Sequence, residues 1–176
     1  MAEVEGGGSA HPVIVGVVPG QPAEVVQKAV LFASRFRAEL VCAYVNPARY
    51  LVEEAADGTV ESASLHPDFV DEREGVFDES LAESLHRALG TAPVPWRTLA
   101  LAGDVPGALG HLGDTLDAAM IVVGAHEHSF GGSLREFFNR SVGAQLAHRQ
   151  SRPVVVVPAS PHTSQHTSQP RPGTDS

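Results

Sequence analysis

The sequence predicts an α/β domain built on a five-stranded parallel sheet with helices on both faces. Two observations carry this. Short β-branched runs recur along the chain, and segments of helical spacing separate them, the alternation that right-handed crossovers between parallel strands require. The chain is also short, at 176 residues, and its 43% hydrophobic content comes with only 6% aromatics, so one aliphatic core is the natural product.

Val13–Val18 is a continuous apolar run between Pro12 and Pro19-Gly20, as suits a strand covered on both faces. Pro22 fits a first helical turn, and Val25, Val26, Ala29, Val30, Ala33 and Phe36 give Ala23–Arg37 helical spacing. Leu40–Val45 is a second buried strand, stopped by Asn46-Pro47. Residues 47–75 mix Gly and Pro with Glu53, Glu54, Asp57, Glu61, Asp68, Asp71, Glu72 and Glu74, and read as a long acidic loop with room for a short helical piece. Helical spacing returns at Asp71–Leu89, with Gly90 placed at C′. Trp96–Ala102 is the third strand, and Asp104 caps a helix through Ala108, Leu109, Leu112 and Leu116. Ala118–Gly124 is the fourth strand, Ser133 to about His148 a helix, and Pro153–Val157 the last strand. Ligands of such sheets bind beyond the carboxyl ends of the strands, where strand order reverses, so the loops after the first and fourth strands are the candidate site.

The remainder is placed by composition. Residues 1–11 read as a flexible head, 12–158 as the domain, and 159–176, rich in Pro, Ser, Thr, Gln and His, as a disordered tail. The formal net charge of -9 argues against a nucleic-acid partner and an anionic membrane surface. A head without an apolar core, no membrane-length apolar run and a single cysteine, Cys42, point to the cytoplasm. Cys42, inside a strand, reads as a small buried hydrophobe. His126 and His128 lack a third metal ligand and read as polar loop residues, with donation to an anion by both as the alternative. No nucleophile–base pair stands at a usable spacing, so catalysis is not supported.

Gly103-Asp104-Val105-Pro106, the MIVVG strand, the glycine-containing loop after it, Arg140-Ser141-Val142 and the PVVVV strand together resemble the universal stress protein family. The resemblance spans about Val13 to Val157. It implies a flavodoxin-like, adenine-nucleotide alpha-hydrolase-like fold with strand order 3-2-1-4-5. It also implies a homodimer joined through the last strand, Val154–Val157, a role in stress response, and, in many members, ATP or another adenine nucleotide as ligand. That ligand is held by a G-x2-G-x9-G-[ST] motif, whose glycines admit backbone N–H groups to phosphate oxygens at a helix start.

The match to that motif is partial. Gly124 supplies the first glycine, and Ser141 and Val142 the end of the motif. Glu127 and Arg140 replace glycines, the span is three residues too long, and Gly131-Gly132 are possible substitutes. Val18 stands where ATP-binding members carry an Asp. Two readings follow. In one, Gly124, Ser141, Arg140 or Arg135 and His126 contact phosphate while Val45 and Val123 flank adenine. In the other, Glu127, Arg140 and Val18 leave a degenerate pocket on a non-catalytic regulator. A third class, a structural interaction module with an unidentified protein partner, stays open beside them.

Overall fold

The computed structural model describes residues 11–65, 77–125 and 142–158. In chain order the elements are β1 (Val13–Gly16), α1 (Ala23–Phe36), β2 (Leu40–Asn46), β3 (Arg49–Glu54), β4 (Val60–Ser64), α2 (Glu79–Leu89), β5 (Trp96–Ala102), α3 (Val105–Thr115), β6 (Met120–Gly124), α4 (Val142–Arg149) and β7 (Val154–Val157). Five of the strands form one sheet in the order β5-β2-β1-β6-β7, every neighbouring pair parallel. Counted along the sheet strands alone, this is the expected order 3-2-1-4-5.

The two faces of the sheet carry separate aliphatic clusters, because successive side chains of a strand point to opposite sides. Val13, Val15, Leu40, Cys42, Met120 and Val122 pack with Val25, Ala29 and Ala33 of α1 and Leu81, Leu85 and Leu89 of α2. Ile14, Val41, Ala43, Val45, Ile121 and Val123 pack on the other face with Leu109 and Leu112 of α3 and Leu146 of α4. No buried polar or charged residue interrupts either cluster among the described residues.

Helix ends follow local chemistry. The Asp78 carboxylate accepts from Leu81 N at 2.7 Å and opens α2. Hydrogen bonds from the Ser80 hydroxyl and the Leu81 amide hold this carboxyl below the usual aspartate range. Asp104 caps α3 as expected, accepting from Gly107 N at 3.0 Å, and also pairs with Arg149 at the end of α4. Gly90 departs from expectation. It is the C-cap of α2 in right-handed helical conformation (φ -57°), so it supplies no left-handed turn.

The main difference from the sequence reading lies within residues 47–75. The described part is an antiparallel hairpin, β3–β4, forming its own two-stranded sheet. β3 bunches its apolar residues at Tyr50, Leu51 and Val52 instead of alternating them, and the register shifts between Leu51 and Glu53, so the period-two pattern that marks a half-buried strand is broken. The turn is local: Gly58 N donates to Ala55 O, Ala55 N donates to Thr59 O, and the Asp57 carboxylate accepts from Thr59 N. Gly58 has φ +83° and is buried where a side chain would run into Leu112, Leu99 and Leu116, while Arg97 of β5 donates to Asp57 O at 2.9 Å. The hairpin thus covers the part of the α3-side cluster near β5. Residues 66–76 and the expected head and tail (1–10 and 159–176) lie outside the described residues, as does the part of the expected Ser133–His148 helix before Val142. No helix among the described residues is long and apolar enough to cross a membrane.

Candidate functional site

β1 and β6 run side by side, Val13 opposite Met120 and Val15 opposite Val122. From β1 the chain turns into α1 on one face, and α4, which follows β6, packs on the other. Their carboxyl ends therefore define the crevice where strand order reverses.

On the β1 side, regular pairing ends at Gly16, earlier than the apolar run suggests. Val17 N still donates to Ala43 O, and the chain then turns through Val18-Pro19-Gly20, with Gly20 at φ +74°. Val17 is buried, whereas Val18 is exposed. Gln21, which the sequence reading did not single out, organises this turn. Its carboxamide oxygen accepts from Val18 N at 3.1 Å and its nitrogen donates to Gly16 O at 3.3 Å. The only sequence signal for this role is an amide side chain between a Pro-Gly turn and a helix-opening proline, the setting of a local side-chain-to-backbone bridge.

On the β6 side, Gly124 faces Gln21 directly. A Cβ at Gly124 would stand 3.1 Å from Gln21 Nε2 and 3.1 Å from Val25 Cγ2, so the absence of a side chain is what allows this approach. Ala125 N donates to Val157 O, which ties the strand end to β7. Val45 and Val123 are buried on the α3 face, and Val142, half-buried, packs against the same cluster. Gly16 lies on that face between them, and Leu109 and Val123 fill the space its missing side chain leaves. The structure thus brings Gly124, Val45, Val123 and Val142 to one end of the sheet. Ser141, His126 and Arg140 lie outside the described residues, as do Glu127, His128, Gly131, Gly132 and Arg135.

Two further groups bear on chemistry. Cys42 is fully buried, and burial pushes its thiol up to about 12, so it presents no thiolate. Glu54, on β3, accepts from Thr115 Oγ1 at 2.9 Å and pairs with His111 Nε2 at 2.5 Å. This polar cluster edges a shallow apolar depression lined by Leu51, Val60, Leu101 and Leu112. The sequence reading missed it because Glu54 and His111 are 57 positions apart and only the docked hairpin unites them. Among the described residues no group of three or more His, Cys, Asp or Glu side chains could hold a metal ion.

Comparison with known proteins agrees with this architecture. The structure is similar to a universal stress protein from Archaeoglobus fulgidus, with TM-score 0.58, 18% identity, and coverage of 83% of this chain and 97% of that one. It is also similar to a universal stress protein in complex with cAMP (TM-score 0.56, 21% identity, 86% and 100% covered). A third similar structure is the A. fulgidus universal stress protein in complex with dAMP (TM-score 0.54, 15% identity, 84% and 98% covered). No curated protein matches the sequence. Residues 10–158 match the family model, nearly the whole span over which strands, crevice and helices have been described, and the chain belongs to the universal stress protein family.

Proposed function

We propose that this protein is a non-catalytic, cytoplasmic stress-response regulator whose switch-point crevice does not retain an adenine nucleotide. The observation that carries the reading is the Gln21 bridge. Its carboxamide is already spent on Val18 N and Gly16 O, beside Gly124, and the neighbouring exposed side chain is the apolar Val18 rather than a carboxylate. A nucleoside anchored there loses the acceptor its hydroxyls would need, and a desolvated polar group left unpaired costs about 1–3 kcal/mol. Titrating the full chain with ATP, AMP and cAMP in a calorimeter is expected to give no saturable heat up to millimolar ligand. Val18→Asp is expected to introduce saturable binding. Micromolar affinity in the unaltered protein would overturn the reading.

The competing reading, an adenine-nucleotide-binding protein with at most slow hydrolysis, draws on the cAMP and dAMP complexes of the two similar structures and on a glycine, Gly124, at the end of β6. In it, Ser141, Arg140 and His126 contact phosphate and Val45 and Val123 flank the base. The same titration separates the two.

We also propose that the regulator works as a homodimer through Val154–Val157. Among the described residues β7 is an edge strand, paired with β6 and with no other strand, and Val156 is 44% exposed on it. An unpaired apolar edge of this kind calls for cover. Light scattering should give twice the chain mass at micromolar concentration and a single chain mass for Val156→Lys. A strict monomer in the unaltered protein would rule the dimer out.

A further inference from the structure

The β3–β4 hairpin exposes a cluster of apolar side chains, of which Leu51 also lines the depression beside Leu101 and Leu112. Tyr50, Leu51 and Val52 are consecutive and all exposed, at 49%, 45% and 56%, and Leu65 follows β4 at 54%. Half of the exposed large hydrophobic residues in the described structure therefore sit on this one small element. Concentrated exposed apolar surface of this kind marks interaction sites in soluble proteins. Among the described residues, β3 and β4 pair with each other and with no other strand.

Beside the apolar residues, Glu53 and Glu61 stand directly opposite each other across the hairpin, and both are exposed. Like charges in that position destabilise a strand pair. Neither carboxylate has a cationic partner among the described residues; Arg49, the basic residue of β3, is committed to Ser62 Oγ and Ser62 O. The hairpin would stabilise once a cation is placed between the two carboxylates, and the apolar side chains beside them would gain from being covered.

We propose that this face docks an extended peptide segment of a protein partner in which basic residues alternate with apolar ones. Its cations lie between Glu53 and Glu61, its apolar side chains cover Tyr50 and Val52, and its backbone adds to the hairpin edge. Charge complementarity selects this occupant. A second copy of this chain brings a net charge of -9 to an acidic patch, and nucleic acid or an anionic membrane brings more negative charge. A bare divalent cation finds only two carboxylates and leaves the apolar residues uncovered.

The test is fluorescence anisotropy of a labelled peptide, Lys-Val-Lys-Phe-Lys-Val, with the full chain at low and physiological salt. Binding is expected, weakening as salt rises and absent when the lysines are replaced by glutamate or the apolar residues by serine. Glu53→Lys/Glu61→Lys, which keeps the like-charge pair but reverses its sign, should weaken binding about tenfold or more, as should Tyr50→Ser/Val52→Ser. Glu24→Lys/Glu83→Lys makes the same change of net charge on α1 and α2 and should leave affinity within about twofold. These are all exposed positions, and circular dichroism melting checks that each variant folds. The proposal is overturned if the peptide does not bind, or if the α1/α2 variant weakens binding as much as the hairpin variant. It is equally overturned if Tyr50→Ser/Val52→Ser lowers the particle mass in light scattering, which would assign the face to a second copy.

Discussion

Gly58→Ala is expected to destabilise the protein by about 2–4 kcal/mol, from left-handed backbone strain plus overpacking. Gly58 sits at φ +83°, where an L side chain is strained before any contact is considered. Its Cβ would then stand 2.6 Å from Leu112 Cδ1 and 3.2 Å from Leu99 Cδ1. A terminal methyl on a flexible side chain could swing aside at little cost, but Leu112 is 1% exposed and packed within the α3-side cluster. Urea unfolding of both proteins measures the difference. Leu112→Ala alone should cost about 2–5 kcal/mol through the cavity it leaves. Combined with Gly58→Ala, the loss should be smaller than the sum, because the new methyl enters space the leucine vacated. Strict additivity, or a Gly58→Ala cost below about 0.5 kcal/mol, would mean that the hairpin lifts off rather than packing as described.

Leu146→Ala is the second large effect, at about 2–5 kcal/mol. Within its described span, Val142–Arg149, α4 buries Gly143 and Leu146 and no other residue. Helices owe most of their stability to packing of a buried face, and the order of these turns rests on the contact of Leu146 with the α3-side cluster. Gly143 cannot take over, because it lies close against Val156 and even a methyl there would collide with that side chain. Beyond the global loss, amide exchange across Val142–Arg149 should accelerate more than exchange in β1 or β2. A uniform acceleration throughout the domain would contradict this account, since it would make α4 part of the global unfolding unit and not a locally held element. The consequence reaches the crevice, because Val142 packs at the start of this helix.

How far the sequence reveals the structure depends on whether a segment's burial is written in its own residues. The three inner strands of the sheet are legible because each is covered on both faces and so reads as a nearly unbroken aliphatic run, as in Val13–Gly16, Leu40–Asn46 and Met120–Gly124, whereas the edge strand β5 interrupts its run with Arg97 and Thr98. The α3 start is legible because Asp104 and Pro106 are local signals. The hairpin is not, because what anchors it is Gly58, Glu54 and Val60 meeting Leu112, His111 and Leu101, partners fifty or so positions away. Acidic composition there suggested solvent, while the glutamate that matters, Glu54, has a side chain only 13% exposed. At the crevice, Gly124 and Val18 were legible through their correspondence to a motif. Gln21 was not, since its role is to bond two backbone groups within five residues of itself, which depends on the turn's geometry and not on any spacing of side-chain types.

The sheet places β5, against which the hairpin docks, at one edge and β7 at the other. If two copies join through β7, the β5 edges of the continuous sheet end up roughly 40 Å apart, at about 4.8 Å per strand. The two hairpins then face outward as a pair of fixed, widely separated grips. A partner carrying two basic–apolar segments on a linker of matching reach would be held bivalently, its second contact governed by effective concentration and not by bulk affinity. Dimerisation at one edge would in that way set the strength of recognition at the other without altering a single contact there.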